Sequence, residues 1–292
     1  MVMSGGTDGG GPGFIALVGQ SVLDRVTLPS GESEERLGGA PVFAGHAIAC
    51  DGRRGVIVTR GGTAELRRPL HAYGLEVVEG PSSRTIVSDM WLHDDGERAE
   101  AMSAVGDPFT PGDVDTWMAD ALSRCRAVVC GAQWRDDFPP ETLVALARDG
   151  RTVYLDGQGP ARPSRLGPLE LEGPLDPALV RGVGVLKLGL QEAEALIGGI
   201  DAEAALATGV PVVVVTLAER GAVVLIDGRS IAVGVDPVRG LADTVGAGDM
   251  FLALMAAAAI EGSDPVEATQ RACDGVSRIL RERLEATAAT VR

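Results

Sequence analysis

The sequence predicts an α/β protein: a three-layer sandwich with a mostly parallel central sheet and a small β lid. Three observations lead there. Short, nearly all-apolar, β-branched runs bounded by Gly or Pro recur along the chain, as strands covered on both faces require. Helical patterns lie between them, the alternation that builds parallel sheets with helices on both faces. Two polar, alternating stretches break the rhythm and read as exposed hairpins.

Taken in order, residues 1–13 (MVMSGGTDGGGPG) lack a basic start and an apolar centre, so they read as a flexible tail and not a signal peptide. The first strand is FIALV from Phe14. Ser21 to Gly39 follows as a hairpin with its turn at PSGE, then APVFAGHAIAC as a helix and GVIVT from Gly55 as a strand. Ser82 to Glu100 is the second hairpin, turning at DDGE. AVVC from Ala127, TVYLD from Thr152, VGVLKL from Val183 and PVVVVTL from Pro211 are further strands, with PPETLVALARDG and LQEAEALIG as intervening helices. Gly157 to Pro174 is a Pro and Gly loop too short to divide domains. Asp264, Pro265 and Glu267 form the start of the last helix, as N-cap, first helical residue and third residue after the cap. The expected organisation is a tail over 1–13 and one domain over 14–292, its lid built from about 22–37 and 84–99.

A formal charge of −15 disfavours partners held through phosphate backbones or anionic lipid, so neither nucleic acid nor membrane is expected. The longest apolar run, Met250 to Ile260, falls far short of the roughly 20 residues a membrane helix needs. Cys50, Cys125, Cys130 and Cys273 show no C-x-x-C spacing and no zinc pattern with His46, His71 or His93, so they read as buried free thiols in a reducing cytoplasm.

The chemistry concentrates in LADTVGAGDMFLALMAAAAIEG, Leu241 to Gly262, where Asp249 stands alone before eleven uncharged residues. If those residues form a buried helix, its first turn offers free backbone N–H groups to an anion, and Gly246 and Gly248 let that backbone approach a ligand. Asp249 would then face the attacking nucleophile, placed to accept its proton. The same Asp also suits a plain helix cap. Asp243 and Thr244, which extend the motif to D-T-x-G-A-G-D, are residues a cap does not require. Other nucleotide motifs are excluded: Lys187 is the sole lysine and no Walker P-loop exists, while the glycines of GGGPGF precede a strand instead of following it. No G-x-S-x-G elbow supports a hydrolase.

DTVGAGDMF resembles the C-terminal signature of the PfkB, or ribokinase-like, carbohydrate kinases, and RLGGAPVFAGHAIACDG resembles their di-glycine segment and following helix. VVVVTLAERGAVVLIDG is similar to the family's T-L-G-x-x-G-A turn, and LKLGLQEAEAL to its K-x-N-x-x-E-A-E segment. The resemblance implies a ribokinase-like fold and an ATP-dependent, magnesium-requiring kinase for a small sugar, polyol or nucleoside. It makes Asp249 the catalytic base and Gly246, Ala247 and Gly248 the anion hole. Asp24, Gly38 and Gly39 would meet the acceptor, with Phe43 standing where many members carry an amide. Thr216, Gly221, Asp243, Thr244 and Lys187 would lie along the nucleotide, and Glu192 would place magnesium. YLDGQGPAR is similar to a D-x-Q-G-x-x-R stretch in a branch that includes inositol and nucleoside kinases, which adds Arg162 to the acceptor side. Three departures stand out: Gly189 replaces the family Asn before Glu192, Ala218 replaces the Gly after Thr-Leu, and Phe43 or a neighbour replaces the Asn common in the helix after the di-glycine.

These departures leave open a rival of another class, a ligand-binding or regulatory protein on the same fold. The unbroken G-A-G-D speaks for the enzyme. Exposed lid strands could pair across two chains, or the charges of GESEER could prevent it, so a homodimer through the lid stands as a possibility.

Overall fold

Alternation along single strands sets the layering. In the computed structural model, which describes residues 14–93, 98–239 and 244–290, the first strand β1 (Phe14–Gln20) sends Ala16 and Val18 to one side and Ile15 and Leu17 to the other. Both sets are buried, so the strand carries a continuous apolar run and no polar face. The expected tail 1–13, the DDGE turn and Asp243 lie outside the described residues.

Two sheets form. The lid strands are β2 (Val22–Thr27), β3 (Ser33–Gly38), β6 (Ile86–Leu92), β7 (Arg98–Ala104) and β10 (Gly167–Pro168). The main strands after β1 are β4 (Gly55–Arg60), β5 (Glu76–Glu79), β8 (Cys125–Gly131), β9 (Thr152–Asp156), β11 (Val185–Gly189), β12 (Val212–Thr216), β13 (Ala222–Ile226) and β14 (Arg229–Val233). The main sheet runs β14-β13-β12-β11-β9-β8-β1-β4-β5 and is parallel from β12 to β5; β13 and β14 are antiparallel. The lid sheet runs β10-β7-β6-β2-β3.

Helices cover both faces of the main sheet. On one face lie α1 (Ala40–Cys50), α9 (Ala247–Ile260) and α10 (Pro265–Thr290). The connector α2 (Ala64–Arg67) and helices α3 (Pro111–Asp115), α4 (Ala119–Ser123) and α5 (Pro140–Leu146) come earlier in the chain than α6 (Gln158–Ala161), α7 (Leu190–Ile197) and α8 (Ala202–Ala207). Val114, Leu122, Leu143, Leu196 and Ala205 from this set pack on the opposite face. Helix α9 is central to the fold: Met250 to Ala258 are all buried between the sheet, α1 and α10. Each fully buried Met, Phe or Leu there contributes roughly 1.5–3 kcal/mol. An apolar helix with no solvent face can sit only in such a layer. The start of α10 follows the sequence signal, with Asp264 Oδ1 accepting from the N–H groups of Val266 and Glu267, both at 2.9 Å.

Two sequence expectations need correction. The Pro and Gly segment 157–174 is no plain loop: it holds α6 and the strand β10, which pairs with β7 and so adds a third chain segment to the lid sheet. Only two residues of β10 pair, too few for period-2 patterning to reveal. Cys125, Cys130 and Cys273 are buried as expected, but Cys50, the last residue of α1, is exposed beside His46.

Candidate active site

The site lies where the parallel strands end, near the β1/β8 boundary at which the chain order reverses along the sheet. Gly246, in the left-handed region at φ 79°, is the N-cap of α9 and turns the chain into the helix. A Cβ there would fall 2.0 Å from Phe43 Cγ, so the ring of Phe43 lies directly on the loop backbone. Phe43, from α1, thus packs on the turn that leads into α9. Ala247 donates its N–H to Thr244 O at 3.1 Å, and the following amides of Gly248 and Asp249 occupy first-turn positions that have no intrahelical acceptor.

Gly248 sits against the sole lysine: a Cβ would lie 2.6 Å from Lys187 Nζ and 3.8 Å from Asp156 Oδ2. Lys187, on β11, is buried and held by Asp156, on β9, through contacts of 3.2 and 3.1 Å to the two carboxylate oxygens. Burial works against the ammonium, but the carboxylates of Asp156, Glu192 and Asp249 outweigh it and hold its pKa above the usual lysine value. Lys187 is therefore a permanent buried cation at the helix start.

Asp249 occupies the third position of α9. Burial, then the Asp156 carboxylate, push its pKa up to about 7, while Lys187 and Arg162 pull it down. A carboxylate tuned to neutral pH is suited to proton abstraction. A Cβ on Gly131, the last residue of β8, would stand 3.8 Å from Asp249 Oδ1 and 1.9 Å from Ala40 Cβ, so this end of β8 must be Gly for α1 to close over the site.

The residues expected to meet an acceptor lie in and beside the lid sheet. Asp24, buried on β2, rests its carboxylate on Gly38, where a Cβ would fall 1.9 Å from Oδ2. Gly39 has φ 95°, and a Cβ there would meet Gln20 O at 2.3 Å. Arg162, at the end of α6, faces the lid residue Glu100 at 3.9 Å. Glu192 uses Oε2 to accept the Gly189 N–H at 2.6 Å, so its capping duty takes one oxygen; burial raises its pKa against the pull of Lys187.

The remaining expected residues sit farther along. Thr216 donates to Leu188 O at 3.2 Å, tying β12 to β11. Gly221 has φ 88°, and a Cβ would fall 2.1 Å from Val233 O, so its glycine is required by the β13–β14 packing. Thr244 is exposed beside the anion loop, and Asp243 lies outside the described residues. Ala218 takes φ 51° in the turn after Thr216, a conformation its side chain disfavours.

Several residues escaped the sequence reading. Asp156 lies within YLDGQGPAR, a stretch with no local sign that its carboxylate meets Lys187, 31 residues on. Gln20 is fully buried and donates to Asp137 Oδ1 at 2.9 Å and Asp107 O at 3.0 Å, joining the end of β1 to the root of the lid. Asp137 also accepts from the amides of Gln133 and Trp134, and burial raises its pKa to about 6. Ser88 and Glu100 become neighbours only through the β6–β7 pairing, and Trp134 packs with Val22, Ile86 and Met102. Among the described residues no cluster of three His, Cys, Asp or Glu side chains could hold a metal, and no helix is long and apolar enough to cross a membrane.

A buried carboxylate beside a helix start with free amides and a buried cation is an arrangement suited to moving a phosphoryl group onto a hydroxyl. Residues 172–288 match the family model described as pfkB family carbohydrate kinase. That match covers the C-terminal part of the chain, which holds Lys187, Glu192 and Asp249. No curated protein sequence matches. Among solved structures, a pyrophosphate-dependent kinase in the ribokinase family complexed with a pyrophosphate analog and myo-inositol is 22% identical with TM-score 0.76, covering 93% of this chain and 99% of that one. Arabidopsis thaliana ribokinase, solved with ribose and ATP, is 19% identical with TM-score 0.69, covering 92% and 93%. Adenosine kinase from Sinorhizobium meliloti is 18% identical with TM-score 0.68, covering 91% and 93%. At these identities the likeness is one of fold.

Proposed function

We propose that the protein is a cytoplasmic, magnesium-dependent kinase that transfers the γ-phosphoryl group of ATP to a hydroxyl of a small sugar, polyol or nucleoside. The observation that carries this reading is the contact between Gly248 and Lys187 Nζ at the start of α9, with Asp249 one residue on. In the reaction Asp249 takes the proton of the acceptor hydroxyl as its oxygen bonds to the γ-phosphorus. The bond from that phosphorus to the bridging oxygen breaks, and ADP leaves with the electron pair. The amides of the Gly246–Gly248 turn and the ammonium of Lys187 hold the phosphoryl charge, and Asp156 keeps that ammonium in place. Asp24 and Arg162 hold the acceptor, while Thr216, Gly221, Asp243 and Thr244 border the nucleotide. Magnesium would be placed by Glu192 through water and would neutralise donor phosphates. A site with few carboxylate ligands suits an ion that keeps much of its water shell.

A second reading has pyrophosphate as the donor at the same cradle; it is favoured by the likeness to a pyrophosphate-dependent kinase of the ribokinase family. A non-catalytic binding protein would have no use for a carboxylate tuned to about pH 7 at the anion site. Self-association would run through the lid edge β3, although Glu34 and Glu35 on that strand oppose pairing; sizing by light scattering measures it. The decisive experiment follows phosphate transfer from ATP and from pyrophosphate, with magnesium, to myo-inositol, ribose and adenosine. Transfer from either donor that is lost in Asp249→Asn supports the kinase; equal turnover by that variant refutes the mechanism.

A further inference from the structure

The pairing of the lid strands places a polar row on the face turned to the site. Asp24 is opposite Ser88 in the β2–β6 register, and Ser88 is opposite Met102 in the β6–β7 register. Glu100, two residues before Met102, points to the same face. Ser88 donates to Glu100 Oε1 at 3.1 Å, and both Ser88 and Asp24 are buried. On the other side of the gap stands Arg162, whose Nη2 lies 3.9 Å from Glu100 Oε2. The two side chains are only 11% and 14% exposed, yet the pair stops short of hydrogen-bond distance.

A group that donates one hydrogen bond and accepts another fits that separation, and a hydroxyl is such a group. It would accept from the guanidinium and donate to the carboxylate. Trp134 supplies a second, independent sign. Among the described residues its Nε1 is buried without a hydrogen-bond partner under the same lid face, where the ring packs with Val22, Ile86 and Met102. A ligand oxygen would satisfy it.

We propose that Glu100, positioned by Ser88 and Arg162, is a specificity-determining acceptor residue, and that the acceptor is an uncharged ring polyol held between Asp24 on one side and Glu100 on the other. Two carboxylates repel a phosphorylated or carboxylated acceptor. Lid closure and acceptor binding then become one event, because the hydroxyl completes the bridge between lid and floor. The proposal rests on the phosphotransferase reading of the site but names which residues choose the substrate.

The test uses the full chain, with myo-inositol as probe and ribose and adenosine as the other arms, in wild type, Glu100→Gln, Ser88→Ala and the control Arg25→Gln, whose ion pairs lie on the outer face of the lid. Both binding, read by calorimetry without donor, and the KM for transfer are measured. Glu100→Gln is expected to weaken myo-inositol binding and raise its KM by roughly ten- to hundred-fold, as loss of a charged hydrogen bond does, with a smaller effect on kcat. Arg25→Gln is expected to leave both near wild type. Unchanged binding and KM in both site variants, wild-type preference for adenosine, or no binding of any probe overturns the proposal. Glu100-dependent binding without transfer would uphold it while refuting the kinase; transfer that ignores Glu100 would do the reverse.

Discussion

Asp249→Asn keeps the amides of the first turn and removes the proton acceptor, so turnover should fall by at least roughly 100-fold while donor binding persists. With the pKa raised to about 7, the wild-type rate should climb as pH rises through that value and level off above it. Stability should move the other way. Between the ordinary Asp value of 3.8 and about 7 the folded chain keeps a proton that the unfolded chain has released, so stability falls as pH rises across that window. Thermal midpoints at pH 5 and pH 8 should therefore differ less in Asp249→Asn than in wild type. Gly221→Ala combines a disfavoured φ of 88° with a Cβ placed 2.1 Å from Val233 O, and should cost at least about 1–3 kcal/mol in urea unfolding without touching Asp249.

At the scale of the element, α9 does two jobs with one sequence. Its N-terminus needs small residues and a carboxylate, and everything after Asp249 must be apolar because the helix lies between the sheet and two other helices. Leu252 is 1% exposed in that layer, so Leu252→Ala should destabilise by roughly 2–5 kcal/mol, read by denaturant midpoint. The neighbouring α10 ends its approach at Asp264, whose carboxylate caps two amides; Asp264→Ala should cost about 1 kcal/mol. A stability loss of that second kind that left KM values unchanged would show that the cap acts on the helix alone.

For the whole molecule the lid root is decisive. Asp107 accepts from Ser82, Ser83 and Arg84 at the start of the second hairpin, and its own carbonyl takes the Gln20 amide. Burial alone would raise its pKa, but those hydrogen bonds outweigh it and bring the carboxyl down to about 2. Asp107 thus fastens the start of the second hairpin through its carboxylate and the end of β1 through its backbone carbonyl. Asp107→Ala should loosen the closed lid, raising hydrolysis of the donor by water relative to transfer to the acceptor. An unchanged ratio would mean the lid is held elsewhere, with the Arg162–Glu100 pair the first place to look.

What the sequence determined by itself was whatever a short window can encode. Apolar β-branched runs specified the buried strands, the D-P-V-E start specified the last helix, and Gly246 to Asp249 specified a glycine turn that opens a helix with a carboxylate in its first turn, because backbone freedom and periodicity are local properties. Only the tertiary structure decided which distant residues share that turn. Lys187 meets Asp156 because β11 and β9 are adjacent in the sheet, and Phe43 covers Gly246 because α1 packs on α9. Glu100 faces Arg162 because residues 157–174 fold back beneath the lid and leave β10 paired to β7. Contacts across 31 or more positions depend on strand order and layer packing, which no local pattern of residues contains.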